Sequence, residues 1–480
     1  MLTREDYQNG ISIKQQLNKS VKEDPYRLGF HIMPPTGWLN DPNGLCQFKG
    51  CNHIYFQYTP FTPTWGMKLW GHYSTVDWIS YIEEEPFLFA DNKHDKDGVY
   101  SGSAFVNKDQ IHYFYTGNVK YLDKDYDYIN EGRGQNTLEV ISKDGFTYQE
   151  KKLVLSNQDY PDDMSCHVRD PKVFEKEDAY YMVLGARSKK DKGCVLIYKS
   201  LDLKQWTYHM RIETETTFGY MWECPDLIEI DGKTLLICCP QGVATKGIQY
   251  QNIYQFGYFE LNLDLNNKTY SISSFQELDY GFDIYAPQTF VDEKGRRILL
   301  AWMGIPDASY DNEPTVEKGW QHALTLPRRL SMVDGKLCQQ PLIELEKLRK
   351  SERVCVVINH LTMELPTMFE LKLSFKQCDT LNVQLRKGLY LTYKQNILTL
   401  KLEECGRGRE ERSVQISELN CLLIMMDTSS LEIFINDGEK VLTTRYYTQE
   451  VTPLKLEGNF ESTLTLYEYN SFRIEELGDK

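Results

Sequence analysis

A chain of 480 residues with 41% hydrophobic content can hold two or more domains with real cores. Its formal net charge of −15 argues against nucleic acid or an anionic membrane as a partner, while leaving room for a local basic pocket. The 12 Cys are scattered, without CxxC pairs or His/Cys clusters, so no zinc site is expected, and no metal or other cofactor.

Residues 1–30 form a polar segment predicted to carry one helix. Met1 to Gln16 has no apolar core of the secretory type, and no apolar run reaches membrane-spanning length. The predicted location is cytoplasmic, with the thiols reduced. Oligomeric state, monomer or homodimer, has no sequence signal.

From about Phe30 to Arg329 a pattern recurs. A motif opens each unit, and an apolar strand follows. Asn40-Asp41-Pro42 leads to Ile54–Tyr58, and Ser101-Gly102-Ser103 to His112–Gly117. Arg169-Asp170-Pro171 leads to Tyr180–Gly185, Glu223-Cys224-Pro225-Asp226 to Thr234–Cys238, and Tyr285-Ala286-Pro287-Gln288 to Ile298–Gly304. The openings lie roughly 55–70 residues apart, close to a propeller-blade period. Five units of about four strands predict a five-bladed β-propeller over 31–335 whose first strands line a central channel. A linker helix is expected at 336–352. Period-2 alternation in Phe369–Phe375 and Leu431–Ile435, the latter closed by Asn436-Asp437-Gly438, predicts an antiparallel β-sandwich over 353–480. The fold class is therefore all-β.

The chemistry concentrates in the motifs. In Trp38–Gly44 an Asp stands between two Asn, with Pro directly after it and a Trp three places before. Pro pushes its predecessor toward extended geometry, so Asp41 is expected to end a short strand with a fixed carboxylate. Asp170 and Glu223 sit in similar Pro-anchored settings beside Arg169 and Trp222. Two acids flanking a glycosidic bond, one nucleophile and one proton donor, are what glycoside hydrolysis requires, and a third can hold hydroxyls.

Taken in order, Trp38–Gly44, Phe56-Gln57-Tyr58, Trp70-Gly71-His72, Tyr100–Ser103, Arg169-Asp170-Pro171, Trp222–Asp226, Tyr285–Gln288, Trp302-Met303-Gly304 and Leu326-Pro327-Arg328 resemble glycoside hydrolase family 32, the invertase/β-fructofuranosidase family. The resemblance spans about His31 to Tyr469. It implies the same propeller and sandwich, with Asp41 as nucleophile and Glu223 as acid/base. Asp170 would stabilise the transition state, its ionisation steered by Arg169. It further implies that Asn40, Gln57, Trp65, Trp70, Ser101 and Trp302 form the fructosyl site, that Leu39, Tyr100 and Arg169 are also substrate-binding residues, and that Asp283 and Tyr285 lie toward the leaving group. Tyr115–Lys120, Pro240-Gln241-Gly242, Tyr280–Asp283 and Leu431–Gly438 look like the family's bacterial sucrose-6-phosphate hydrolases. Hydrolysis of sucrose 6-phosphate, and of sucrose, is the expected reaction. An intracellular sucrase or fructan hydrolase, a fructosyltransferase and a non-catalytic sugar-binding propeller are the alternatives. A phosphate would need a cation near the glucosyl side. Lys120, Arg133, Arg187 and Lys246 are the candidates.

Overall fold

Each recurring motif opens an antiparallel sheet. In the computed structural model, which describes residues 1–477, the motif strands are β1 (Gly37–Phe48), β2 (Val99–Asn107), β3 (Met164–Lys176), β4 (Met221–Ile230) and β5 (Tyr285–Val291). They pack in sequence, β1 beside β2 through to β4 beside β5, and β5 returns to β1, so they surround one axis. Each heads a sheet of its own. β3, for instance, pairs with Ala179–Ser188, which pairs with Gly193–Ser200, which pairs with Thr207–Ile212. The chain is all-β, a β-propeller followed by a C-terminal β-sandwich. Two parallel pairings tie distant parts to the first sheet: Trp320–Gln321 lies along β1, and Arg473–Glu475 along Ser80–Glu84.

The motif strands share an irregularity. Register shifts fall between Leu39 and Pro42, between Val99 and Gly102, across Arg169–Lys172, between Glu223 and Asp226, and between Tyr285 and Gln288. Bulges bend a strand and re-aim its side chains. Asp41 therefore lies within a 12-residue strand, at a bulge, and does not end a short one. Pro42, Pro171, Pro225 and Pro287 sit where the ladder is already interrupted, so their missing N–H breaks no regular pairing. Three residues directly before these prolines, Asp170, Cys224 and Ala286, have φ of 65°, 49° and 48°. They are left-handed, not extended as a pre-proline residue normally is.

Two further expectations change. The N-terminal segment forms two helices, α1 (Arg4–Asn9) and α2 (Ile11–Lys22), where one was expected. The linker helix is only a 3-10 helix, Ile343–Leu348, between the strands Lys336–Pro341 and Arg349–Met363. Leu342, Leu345 and Leu348 are its buried side chains of apolar type. A period of three places them in one row on a 3-10 helix, where an α-helix would fan them apart.

The propeller meets the sandwich through buried charge. Arg328 pairs with Glu432 at 2.7 Å and Asp279 at 3.0 Å. His31 bonds Asp427 and Glu432. Asp283, expected on the leaving-group side of the sugar, belongs here instead. Its two oxygens accept from Arg409 at 2.7 Å each, and Arg445 N–H and Thr444 Oγ1 complete its shell. At 1% exposure it is sealed from solvent. Among the described residues, no helix is long and apolar enough to cross a membrane.

Breaking one side of a buried pair leaves the other charge uncompensated, at about 3–5 kcal/mol. Asp283→Ala is expected to lower the free energy of unfolding by that amount. Urea denaturation of the variant against the parent checks this; unchanged stability would remove Asp283 from the interface.

Candidate active site

At the axis, the bulges bring three carboxylates from three strands into one cavity of about 360 Å³. Asp41 comes from β1, Asp170 from β3 and Glu223 from β4. The β1 bulge turns both Asn40 and Asp41 toward the cavity and leaves Leu39 in the core at 0% exposure.

Asp41 accepts from Ser101 Oγ, from Asn40 Nδ2 at 3.0 Å and from Gln57 Nε2 at 3.4 Å. These donors are braced in turn. Trp38 Nε1 donates to Asn40 Oδ1 at 2.8 Å, Asn40 Nδ2 to Gln57 Oε1 at 2.8 Å, and Gln57 Nε2 to Ser101 Oγ at 2.6 Å. Burial pushes the Asp41 carboxyl above its usual range, and the nearby Glu223 charge adds to that. Ser101 and Asn40 pull it back.

Glu223 is held differently. Arg169 Nε donates to its Oε1 at 2.9 Å, and Arg169 Nη2 makes a second bond to the same atom. Tyr285 OH at 2.5 Å and Gln241 Nε2 at 2.7 Å donate to Oε2. The guanidinium expected to steer Asp170 therefore grips Glu223. Asp170 has one backbone donor, Cys224 N–H at 2.9 Å, while its own N–H is tied to Thr116 Oγ1. Burial drives the Asp170 carboxyl up to about 7; Arg169 opposes this, and Glu223 and Asp41 reinforce it. Asp170, deepest in burial and beside two further carboxylates, is driven toward holding a proton.

Most sequence candidates meet here. Gln57, Tyr100, Ser101, Arg169, Tyr285 and Trp302 line the cavity, as does Trp65, which is 60% exposed at its lip. Trp70 does not. It is fully buried against Tyr55, Tyr113 and Tyr115, and its Nε1 donates to Tyr100 O at 3.1 Å. That bond ties the buried indole to the backbone beside Ser101. The four candidate cations divide. Lys120 and Lys246 are exposed side chains outside the cavity. Arg187 is bonded to Asp191 at 2.7 and 2.9 Å. Arg133 alone of the four lines the cavity, 5% exposed, stacked at 4.5 Å on Tyr128, with its Nε unpartnered. Gln241, Tyr128, Cys224 and Asp307 also line the site and were not identified as site residues. The first was visible only inside the Pro240-Gln241-Gly242 segment. Tyr128 and Asp307 lie in loops without a motif.

A propeller whose axis carries three carboxylates in one cavity, with sugar-sized volume and aromatic walls, defines a glycosidase-type site. The sequence profile of the glycosyl hydrolases family 32 N-terminal domain matches residues 31–341, and that of the family 32 C-terminal domain residues 345–472. The chain belongs to this family and is a glycoside hydrolase. The sucrose-6-phosphate hydrolase of Bacillus subtilis (strain 168) is 40% identical over 441 residues, covering 89% of this chain and 90% of that protein. That of Staphylococcus xylosus is 38% identical over 468 residues, covering 92% of each. The solved structure of sucrose-6-phosphate hydrolase from Lactobacillus gasseri superposes with a TM-score of 0.87 at 28% identity, covering 96% of this chain and 97% of that one.

The raised Asp170 has a consequence for stability. A carboxyl with a folded-state pKa of about 7 against 3.8 for the free group binds its proton more tightly in the native state. Its contribution is intact below about pH 4 and is lost as pH rises through 7. Asp170→Asn, which cannot ionise, is expected to melt at higher temperature than the parent at pH 8, with the gap closing toward pH 4, while losing activity. Thermal melts across that range check the sign.

Proposed function

We propose that the chain hydrolyses the fructosyl bond of sucrose 6-phosphate with retention at the fructose carbon, and cleaves sucrose less well. The observation that carries the phosphate preference is Arg133, a cavity-lining guanidinium with no carboxylate partner among the described residues. A stacked arginine with free donors is suited to a phosphate oxygen. Its neighbour His167 adds no charge. Burial first, then Arg169, Arg133 and Arg187, push that imidazole down to about 2. Its Nδ1 lies 3.0 Å from Arg169 Nη1, and its Nε2 is unpartnered. The curated names of the Bacillus and Staphylococcus relatives support the same substrate.

In this reading Asp41 attacks the anomeric carbon of the fructosyl unit. Glu223 gives a proton to the departing glucosyl oxygen, and a fructosyl ester forms on Asp41. Water then attacks that ester with Glu223 as base, releasing fructose. For the first step Glu223 must turn aside a donor, and the one guanidinium on its Oε1 can be drawn off by a negatively charged substrate. Asp170 holds fructose hydroxyls, with Asn40, Gln57, Ser101 and the indoles of Trp65 and Trp302 as the fructosyl wall. Tyr100, Tyr128 and Arg133 lie toward the leaving group. A phosphorylated disaccharide does not cross membranes unaided, so the enzyme works in the cytoplasm. We take the five motif-headed sheets as five blades, with the Lys336–Pro341 strand completing the last, so that the propeller runs over 31–341 and the sandwich from the Arg349–Met363 strand onward.

Two measurements test this. Each charged hydrogen bond to phosphate contributes about 1.5–3 kcal/mol before desolvation. Arg133→Gln is accordingly expected to cut kcat/KM for sucrose 6-phosphate by roughly tenfold or more, while changing that for sucrose by much less. Equal losses on both substrates would remove Arg133 from phosphate recognition. Equal cleavage of both substrates by the parent enzyme would make it a sucrase with the same catalytic acids. Separately, fructosyl fluoride, whose leaving group needs no proton, is expected to restore the first step in Glu223→Ala but not in Asp41→Ala. Equal rescue would reverse or void the two roles.

A further inference from the structure

Beneath the Asp41 end of the cavity lies a lysine that no motif singles out. Lys68 is 1% exposed, yet it makes no ion pair among the described residues; its single side-chain hydrogen bond is to Thr59 Oγ1 at 3.2 Å. Burying an ammonium without a carboxylate is strongly unfavourable, so such a residue needs a compensating environment. That environment is aromatic. The Lys68 Nζ stands 4.4 Å from the ring centroid of Trp65 and 4.7 Å from that of Trp38, two indoles set at 81° to each other. Indole faces attract a desolvated cation more strongly than an exposed one.

The two indoles lead to different parts of the site. Trp38 donates to Asn40, and Asn40 donates to Asp41. Trp65 is largely exposed and lines the cavity; the aromatic contact and cation recorded for its ring are Trp38 and Lys68. An exposed indole needs such a post if it is to present a fixed face to a sugar ring. The charged surroundings are few. Asp41 acts on Lys68, and Lys68 acts on His322, an imidazole that burial keeps neutral and that packs on Trp38. Asp41 in turn feels Glu223 and acts on Asp170, and the thiols of Cys224 and Cys239 beside it are held well up by burial.

We propose that Lys68 is a positioning residue whose ammonium clamps Trp38 and Trp65 at right angles, and so fixes the exposed face that Trp65 turns to the fructosyl site. Burial pulls the Lys68 ammonium well below the usual lysine range, and Asp41 works against that. The aromatic cage is the second source of support for the charged form.

The inference rests on the reading of this cavity as a fructosyl site, so the test includes a binding measurement that needs no turnover. Lys68→Met, Lys68→Gln and Lys68→Arg are compared with the parent enzyme. In the neutral variants, KM for sucrose is expected to rise roughly tenfold with a smaller change in kcat. Fructose titrated against intrinsic tryptophan fluorescence should bind the neutral variants correspondingly more weakly, whichever acid is the nucleophile. Lys68→Arg keeps the charge over the two indoles and should restore most of the KM and the fructose affinity. The Gln variant keeps the test readable if Met fails to fold. Unchanged KM and fructose affinity in the neutral variants would overturn the proposal. So would an Arg variant that binds fructose as weakly as the Met variant, or a loss confined to kcat.

Discussion

Three carboxylates drawn from three strands into one cavity form the constraint on which the rest of this propeller depends. Like charges in a low-dielectric cavity raise one another's proton affinity. The structure answers this in three different ways. Asp41 receives a fan of neutral donors, Glu223 receives Arg169 with Tyr285 and Gln241, and Asp170 receives little beyond one backbone N–H. That inequality separates the three otherwise similar acids, and divided roles in acid–base chemistry need such separation.

Placing those acids is the task of the backbone. A regular strand alternates its side chains between faces, so Asn40 and Asp41 could not both turn inward without a fault in the ladder. The bulge supplies the fault, and the proline after it supplies a residue that had no ladder hydrogen bond to give. The left-handed Asp170 and Cys224 belong to the same device, since sparsely populated backbone survives only where the surroundings impose it. The motifs that identify the family are thus the sequence of the bulges themselves: a functional side chain, then Pro or Gly.

This explains what could be read in advance. The acids, Asn40, Gln57, Ser101 and Tyr285 were legible because each sits in or opposite a bulge whose chemistry is local and recurs at blade spacing. The sheets were legible from apolar runs between turns. Trp70 and Leu39 were misassigned because adjacency to a motif does not tell which face a side chain takes. Asp283 was misassigned because its partner, Arg409, lies 126 residues on, in the sandwich. Lys68, Tyr128 and Asp307 were not legible, since what makes each informative is a spatial neighbour on another segment. Arg133 was one of four candidates, ranked first together with Lys120, until burial and an unpartnered Nε distinguished it.

The sandwich carries no acid of the site, yet it is coupled to it by chain connectivity. Asp283 lies two residues before Tyr285, whose hydroxyl donates to Glu223 at 2.5 Å. Between them only Ile284 intervenes, fully buried in the propeller core. The Asp283–Arg409 pair therefore fixes the entrance of β5 against a second domain, and β5 delivers Tyr285 to the acid. Arg328 does the same at another point of the interface, reaching Glu432 and Asp279 from one guanidinium. Bidentate, fully buried arginine contacts are rigid and geometrically specific in a way that an apolar contact is not. A domain held this way can shape the cavity without lining it, by limiting how far the Tyr285 hydroxyl on Glu223 can drift.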